Sequence, residues 1–461
     1  MLAKGKGTNI KTVRPFGLAD KLSYMMGDFG CNMSFVLVQS YFMLFYVTVM
    51  GISPVHFGII ILITKIWDGI NDPLIGALTD YLQPKGGKDK FRPWILWTSA
   101  PITIATILMF AYLPGIPYWA KITQCVVTYL IWDICYTCVN VPYGSLQSVI
   151  TDDAVERAEL SRFRTLGAFI VQLAVLAALP KFIFVDKNPV GGRFFLAAII
   201  LSVMGFIAFQ ILYKFSIERI KVIAPEQEVK YNYFRTFAAF FKNRPMMALT
   251  ISSISTLLLV GSTAVLNQYV FITYYQNPGL LSIGSVISMV PVLVAMIFVK
   301  MAVKKFGKKA ISSWPILGAA LCYLYLLVVP VPNPYVWFGL QGLAALLSGF
   351  YTMLTWAMVA DCIDYQEWQT GRREEGSIYA TYSLFRKFAQ GFGASLVAFL
   401  LAFTGYNAGL QADQLPGVAE NIKFLAALLP LVGNVIIFLA MQLIYNLDNK
   451  GLAELKKNLG R

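Results

Sequence analysis

The stretch Pro54-Val-His-Phe-Gly-Ile-Ile-Ile-Leu-Ile-Thr-Lys65-Ile-Trp-Asp68-Gly-Ile-Asn71-Asp72-Pro73-Leu-Ile-Gly-Ala-Leu-Thr-Asp80 is long and apolar, yet it carries three ionisable side chains near its middle. A membrane crossing needs about 20 predominantly apolar residues, which this run supplies. Lys65, Asp68 and Asp72 stand at i, i+3 and i+7 and so share one helix face. Turned toward lipid, they would cost about 8 to 10 kcal/mol together, at about 2.5 to 3.5 kcal/mol each. That face must look into a protein interior, so this one segment already requires a bundle of membrane helices around it.

The rest of the chain supplies the bundle. Of 461 residues, 57% are hydrophobic and 13% charged, about half the charge of a soluble domain at roughly 25%. A cytosolic, nuclear or secreted protein is excluded. Apolar runs predict twelve spans, at 22–49, 54–82, 93–113, 122–148, 163–180, 194–213, 246–274, 279–299, 310–331, 334–363, 377–404 and 424–446. The net charge of +14 is not a nucleic-acid footprint, because it is distributed by side. One set of connecting segments holds Lys4 to Arg14, Lys85 to Arg92, Arg157 to Arg164, Lys214 to Arg244, Lys300 to Lys309, Arg372 with Arg373, and Lys450 to Arg461. The other holds only Lys121, Lys181, Lys187, Arg193 and Lys423. The positive-inside rule then predicts a multi-pass cell-membrane protein in contact with membrane lipid, with both termini cytoplasmic. Met1 to Lys21 is polar and basic, so no cleavable signal is expected and insertion starts at the first span.

The expected fold is all-α, with twelve transmembrane helices in two six-helix halves. We place the halves at 1–213 and 246–446, a cytoplasmic central loop at 214–245, and a cytoplasmic tail at 447–461. Tyr231 to Phe241 in the central loop reads as an interfacial amphipathic helix. A weak repeat supports the division: Gly76 to Trp94 closes the second span and fills the loop after it, and Lys304 to Trp314 follows the eighth. Six plus six spans with these loops is the organisation of major facilitator transporters, in which substrate binds between the halves near the midplane.

Charges at membrane depth mark the candidate site. Asp68, Asp72, the amide of Asn71 and the Gly69 carbonyl, whose helical partner Pro73 cannot supply, are hard oxygen ligands suited to a small cation. The alternative is a packing cluster in which Lys65 neutralises Asp68. Asp133, Thr137 and Asn140 recur at i, i+4 and i+7 in the fourth span, as a facing surface or as polar groups joining helices. The first span adds Asp28, and the eleventh adds Arg386 and Lys387, which point about 100° apart. A single histidine, His56, argues against histidine-ligated metal chemistry. Cys135-x-x-Cys138 reads as two small apolar residues within a span.

The combination of Gly27-Asp28, Lys65-Ile-Trp-Asp68-Gly-Ile-Asn71-Asp72-Pro73, Tyr136-Thr-x-x-Asn140-Val-Pro142-Tyr143 and Asp361-x-x-Asp364-Tyr365-x-x-Trp368-x-x-Gly371-Arg-Arg373-x-x-Gly376 resembles the glycoside-pentoside-hexuronide cation symporters, the melibiose permease group. The similarity covers nearly the whole chain. It implies a coupling cation, Na+, Li+ or H+, held by Asp68, Asn71, Asp72 and Thr137, and no other cofactor or metal. It also implies a small carbohydrate bound by Asp28, Asn140, Arg164 and Lys387, with Tyr136 and Trp356 as stacking rings. Arg164 matches after a one-residue slip. Asn140 and Gly144 depart from melibiose-type members, which carry a carboxylate and an aromatic there. A pentoside or an anionic hexuronide suits this chain at least as well as a galactoside, and Asp133 is left to take part in coupling.

The expected activity is therefore cation-coupled symport of a glycoside, pentoside or hexuronide by alternating access, by a monomer and without enzymatic chemistry. Asp80 with Arg92, and Asp152, Asp153 and Glu156 with Arg157, are candidate cytoplasmic gate pairs, and Lys65 is a candidate coupling group. Two other readings compete. One is a carrier of amphipathic lipids on the same fold. The other is a membrane prenyl-group transferase using Asn71-Asp72-Pro73 through Asp80 and Asp152-Asp153-x-x-Glu156 as metal-diphosphate sites.

Overall fold

The computed structural model describes residues 14–81, 89–151, 153–220, 240–371 and 375–458. Apart from one two-residue β-hairpin, Phe184–Val185 with Asn188–Pro189, these residues form helices and short connections. The helices are α1 Leu18–Met43, extended by a π-helical turn to Val49, α2 Pro54–Tyr81, α3 Arg92–Met109, α4 Tyr118–Ile150, α5 Ala154–Ile183 and α6 Gly191–Phe215. Then follow α7 Arg244–Ser255, a π-helical turn Thr256–Val260, α8 Ser262–Thr273, α9 Leu281–Phe306, α10 Lys308–Val328, α11 Pro334–Thr370, α12 Glu375–Phe403, α13 Pro416–Leu439 and α14 Asn449–Asn458. With α7 and α8 counted as one crossing, the described helices α1 to α13 make twelve. Nine of the described crossings are long and apolar enough to span a membrane by length and composition alone. The second is not among them, because Lys65, Asp68 and Asp72 interrupt it.

Pairing of the crossings repeats between the halves. In the first, α1 packs on α5 and α6, α3 on α4 and α6, and α2 on α4. In the second, α7–α8 packs on α12 and α13, α10 on α11 and α13, and α9 on α11. Adding six to each crossing number of the first set gives the second. The contacts between halves obey the same relation: α2 lies against α12 and α5 against α9. Close approach is needed within this pattern. A Cβ on Gly205 would stand 3.2 Å from the Gly30 carbonyl oxygen, so α1 and α6 touch through their backbones.

Helix ends are fixed by local chemistry. Asn243 accepts the Met246 N–H at 3.0 Å where α7 begins, with Pro245 in the first turn. Asn333 and Pro334 do the same for α11, which ends at Gly371 with φ of +66°, a left-handed conformation that glycine adopts without strain. At α3 a carboxylate from a distant segment is used. Glu218, just beyond α6, accepts the N–H groups of Lys90, Phe91 and Arg92 at 2.7, 2.8 and 2.8 Å. Its neighbour Arg219 reaches Asp20, the Arg14 carbonyl and the Ile150 carbonyl. Residues 216–220 thus tie α1, α3, α4 and α6 together on the face that carries the termini.

Several boundaries differ from expectation. The fifth span, expected at 163–180, begins at Ala154, which puts Arg157 and Arg162 on α5 instead of in a loop. The tenth continues past 363 to Thr370. In both cases the helix continues beyond the apolar run, because backbone hydrogen bonding does not stop where hydropathy falls. Most of the expected interfacial helix at Tyr231 to Phe241 lies outside the described residues. The described amphipathic helix on this face is α14, whose Leu452 and Leu455 pack into the core of the second half.

The Glu218 clamp is testable. Glu218→Ala should destabilise the detergent-solubilised protein by about 2 kcal/mol, the scale of hydrogen bonds to a charged acceptor, and Glu218→Gln by less. Thermal unfolding of the two variants checks the order.

Candidate substrate and cation site

The expected site residues lie on six helices, α1, α2, α4, α5, α11 and α12. On α2, Lys65 Nζ lies 3.2 Å from Asp68 Oδ2, the pair anticipated as a packing alternative. Lys65 also stands 5.7 Å from the Tyr129 ring centre of α4. One turn on, Asn71 is buried and spends both amide protons on α4, donating to Asp133 Oδ2 at 3.3 Å and to Thr137 Oγ1 at 3.2 Å. Thr137 in turn donates to Asp72 Oδ1 at 2.9 Å. The other oxygen of Asp72 is held by the ammonium of Lys387 from α12. A continuous polar chain therefore runs Asp133–Asn71–Thr137–Asp72–Lys387, from the fourth crossing through the second to the eleventh. It joins three of the four expected cation ligands, Asn71, Asp72 and Thr137, to one another and to the second half, while Asp68 pairs with Lys65 beside it.

The passage of α12 across α2 depends on a missing side chain. A Cβ on Gly391 would fall 2.5 Å from Lys65 Cβ, well inside contact distance, so only glycine lets the helices meet here. Lys387 follows from that approach. It is the residue expected to bind sugar, and its ammonium also holds Asp72, because it lies one turn before Gly391 on the face of α12 turned to α2.

The second cluster is built on α1, α4 and α5. Asp28 Oδ1 pairs with Arg164 Nε at 3.2 Å, and its Oδ2 accepts from Asn32 at 3.0 Å. The Arg164 guanidinium also lies 5.1 Å from the Tyr143 ring centre. Arg164 remains 37% exposed and Lys387 44%, so both cations keep a free side. Tyr136 stacks on Phe35 at 5.5 Å and on Trp132 at 5.2 Å, so neighbouring rings already cover it. Asn140 is half-buried with no hydrogen-bond partner among the described residues, leaving its amide for a ligand. In the second half Arg386 lies over Trp356 at 5.1 Å, and over Tyr382 at 5.7 Å.

The candidate gate residues make local contacts. Arg92 holds Asp89 and the Tyr213 carbonyl within the first half, while the Asp80 side chain lies outside the described residues. Asp153 caps α5 through the Glu156 N–H at 2.9 Å, Glu156 accepts from Thr151 at 2.5 Å, and Arg157 donates to the Thr151 carbonyl at 2.9 Å. Asp152 is not among the described residues. All six cysteines are free thiols. No group of three or more His, Cys, Asp or Glu among the described residues is arranged to hold a metal ion; Asp68 and Asp72 each face a lysine instead. Sequence reasoning missed Asn32, Tyr129 and Gly391. The first two stand four residues from Asp28 and Asp133 on the same helix faces, which was a usable signal, whereas nothing local marked Gly391.

The MFS/sugar transport protein family matches residues 23–449 of the chain. The chain belongs to this family. It is 30% identical to the putative sulfoquinovose importer of Escherichia coli (strain K12) over 95% of its own length and 92% of that protein. It is 28% identical to the putative glycoside/cation symporter YagG of the same organism, over 96% and 95%. The crystal structure of a D-xylose-proton symporter superposes with a TM-score of 0.64 at 13% identity, covering 93% of this chain and 98% of that one. This protein is thus a multi-pass membrane transporter of the major facilitator fold and not an enzyme. The prenyl-transferase reading falls: Asp72 sits mid-helix, while Asp153 and Glu156 are engaged at the start of α5.

The bridge between halves gives a double-mutant test. Lys387→Met leaves the Asp72 charge without its partner, and adding Asp72→Asn removes that charge. Because both groups are partly exposed, the expected coupling is about 1 kcal/mol. Thermal unfolding should show the double variant more stable than Lys387→Met alone.

Proposed function

We propose that this transporter carries a small glycoside, pentoside or hexuronide into the cell together with a coupling cation, Na+, Li+ or H+. The observation that carries the reading is the chain Asp133–Asn71–Thr137–Asp72–Lys387. It ties Asp72, one of the two carboxylates that would receive a cation, to α4 and to the opposite half. A cation arriving at Asp68 and Asp72 competes with Lys65 and Lys387 for the same oxygens. Its binding loosens one tie between α2 and α12 and frees an ammonium on the cavity side. Asp28 and Arg164 form the complementary sugar-binding pair, the carboxylate accepting from hydroxyls and the guanidinium donating to hydroxyl or acid oxygens. Asn140 and the freed Lys387 complete the set, and Trp356 with Arg386 lines the second half. The likeness to a putative sulfoquinovose importer and to a putative glycoside/cation symporter supports this substrate range and the coupling. The polar pairs at Asp28 and Asp72 weigh against a lipid carrier, whose cleft needs apolar walls.

In the proposed cycle the basic terminus face is cytoplasmic. One cation moving down 100 mV supplies about 2.3 kcal/mol, enough for roughly fifty-fold accumulation before any ion gradient is added. Only the empty or doubly loaded carrier changes access, and a monomer suffices for it. The gate is assigned to the terminus-side charges Asp80 with Arg92, and Asp152, Asp153 and Glu156 with Arg157.

Uptake into vesicles of a panel of labelled glycosides, pentosides and uronides, with sodium and pH varied independently, identifies sugar and cation. Asp68→Asn and Asp72→Asn should each abolish cation-stimulated accumulation while leaving the protein folded. Full accumulation by both variants would overturn the cation assignment.

A further inference from the structure

The end of α9 and the start of α10 hold five lysines in ten residues, Lys300, Lys304, Lys305, Lys308 and Lys309, with no acid among them. Transport as proposed above uses none of them. Lys308 is accounted for by Asp361 of α11, at 2.6 Å. Lys309 meets only the Gln442 carbonyl, at 3.4 Å, and no carboxylate pairs with Lys309 or Lys450 among the described residues. These two ammonium groups wall a cleft of about 360 Å³ together with Phe306, Trp314, Gln442 and Asp448. The one acid on its wall, Asp448, is occupied in accepting the Gly451 N–H at 2.7 Å at the start of α14.

The cleft is held by backbone. Gly307, with φ of +84°, makes the turn from α9 to α10, and a Cβ there would lie 2.1 Å from the Asn449 side chain. The α9–α10 turn and the start of α14 are therefore in contact and fix the cleft between them. Beside it Trp314 is 60% and Phe306 54% exposed, and Trp314 rests edge-on against Phe438 at 5.5 Å. Exposed tryptophan at a helix end next to lysines is the signature of the membrane–water interface, and a basic pocket between helices at that level suits a phosphate-bearing lipid headgroup.

We propose that this cleft binds the headgroup of an anionic phospholipid, with the phosphodiester between Lys309 and Lys450 and the acyl chains over Trp314 and Phe306. The chemistry recognised is a phosphate anion. The two exposed rings select the lipid over free phosphate, since inorganic phosphate gains nothing from them.

The test uses the full-length protein in phosphatidylcholine nanodiscs with a minor fraction of phosphatidylglycerol, counting retained phosphatidylglycerol by native mass spectrometry. Lys309→Gln with Lys450→Gln should retain roughly thirtyfold less than the unmodified protein. Lys300→Gln with Lys304→Gln, an equal charge loss outside the cleft, should retain the same amount. Equal retention by both double variants would make the attraction diffuse and overturn the site. Displacement of the lipid by inorganic phosphate at comparable concentration would assign the cleft to a free anion. A second measurement leaves every charge in place: brominated phosphatidylglycerol should quench tryptophan emission more in the unmodified protein than in Trp314→Phe, and equal quenching contradicts the proposal.

Discussion

An ionised group at membrane depth has no water to fall back on, so it must find its partner inside the protein. Much of the centre of this molecule follows from that constraint applied to α2. Asp68 is answered by Lys65 on the same helix, Asp72 by Lys387 of the opposite half, and Asn71 by two oxygens of α4. The position of α12 against α2, with glycine at the crossing, is what brings Lys387 within reach. Without that approach the second acid of α2 would face the cavity alone.

The same arrangement suggests how coupling operates. A salt bridge in a partly desolvated site contributes little net stability, since the loss of hydration offsets most of the attraction. It can therefore be exchanged for a cation at small cost. In the proposed cycle, exchange at Asp72 alters a contact between halves and frees the Lys387 ammonium to bind the sugar together with Asp28 and Arg164. One event then touches both the conformational equilibrium and the affinity for a sugar, which is the requirement for symport.

The fold was legible in the sequence because hydropathy and loop charge are summed over whole segments, and small errors do not accumulate. Every predicted span corresponds to a helical crossing, and the repeat inferred from two loops reappears as a repeated pairing pattern. The cation cluster was legible for a related reason, since Asp68, Asn71 and Asp72 on one helix and Asp133 and Thr137 on another announce their faces by spacing alone. What spacing does not reveal is which helix lies opposite. Lys387 was assigned to the sugar by resemblance, and its contact with Asp72, which depends on the α2–α12 crossing at Gly391, could not be read from spacing. Arg386, read as an alternative cavity base, is instead shared by Trp356 and Tyr382. The reach of α5 toward the terminus face, which turns Arg157 and Arg162 from loop into helix residues, was hidden by the charges of Glu156, Arg157, Glu159 and Arg162.

The account rests on the claim that the α2–α4 network links cation to sugar. The direct measurement is the dissociation constant of the transported sugar, with and without the coupling cation, for the unmodified protein and for Thr137→Ala. The account predicts that the cation tightens sugar binding by roughly tenfold in the unmodified protein, within the usual range of coupling. It further predicts that Thr137→Ala loses this effect while its cation-free affinity stays the same. An undiminished cation effect in Thr137→Ala would contradict it.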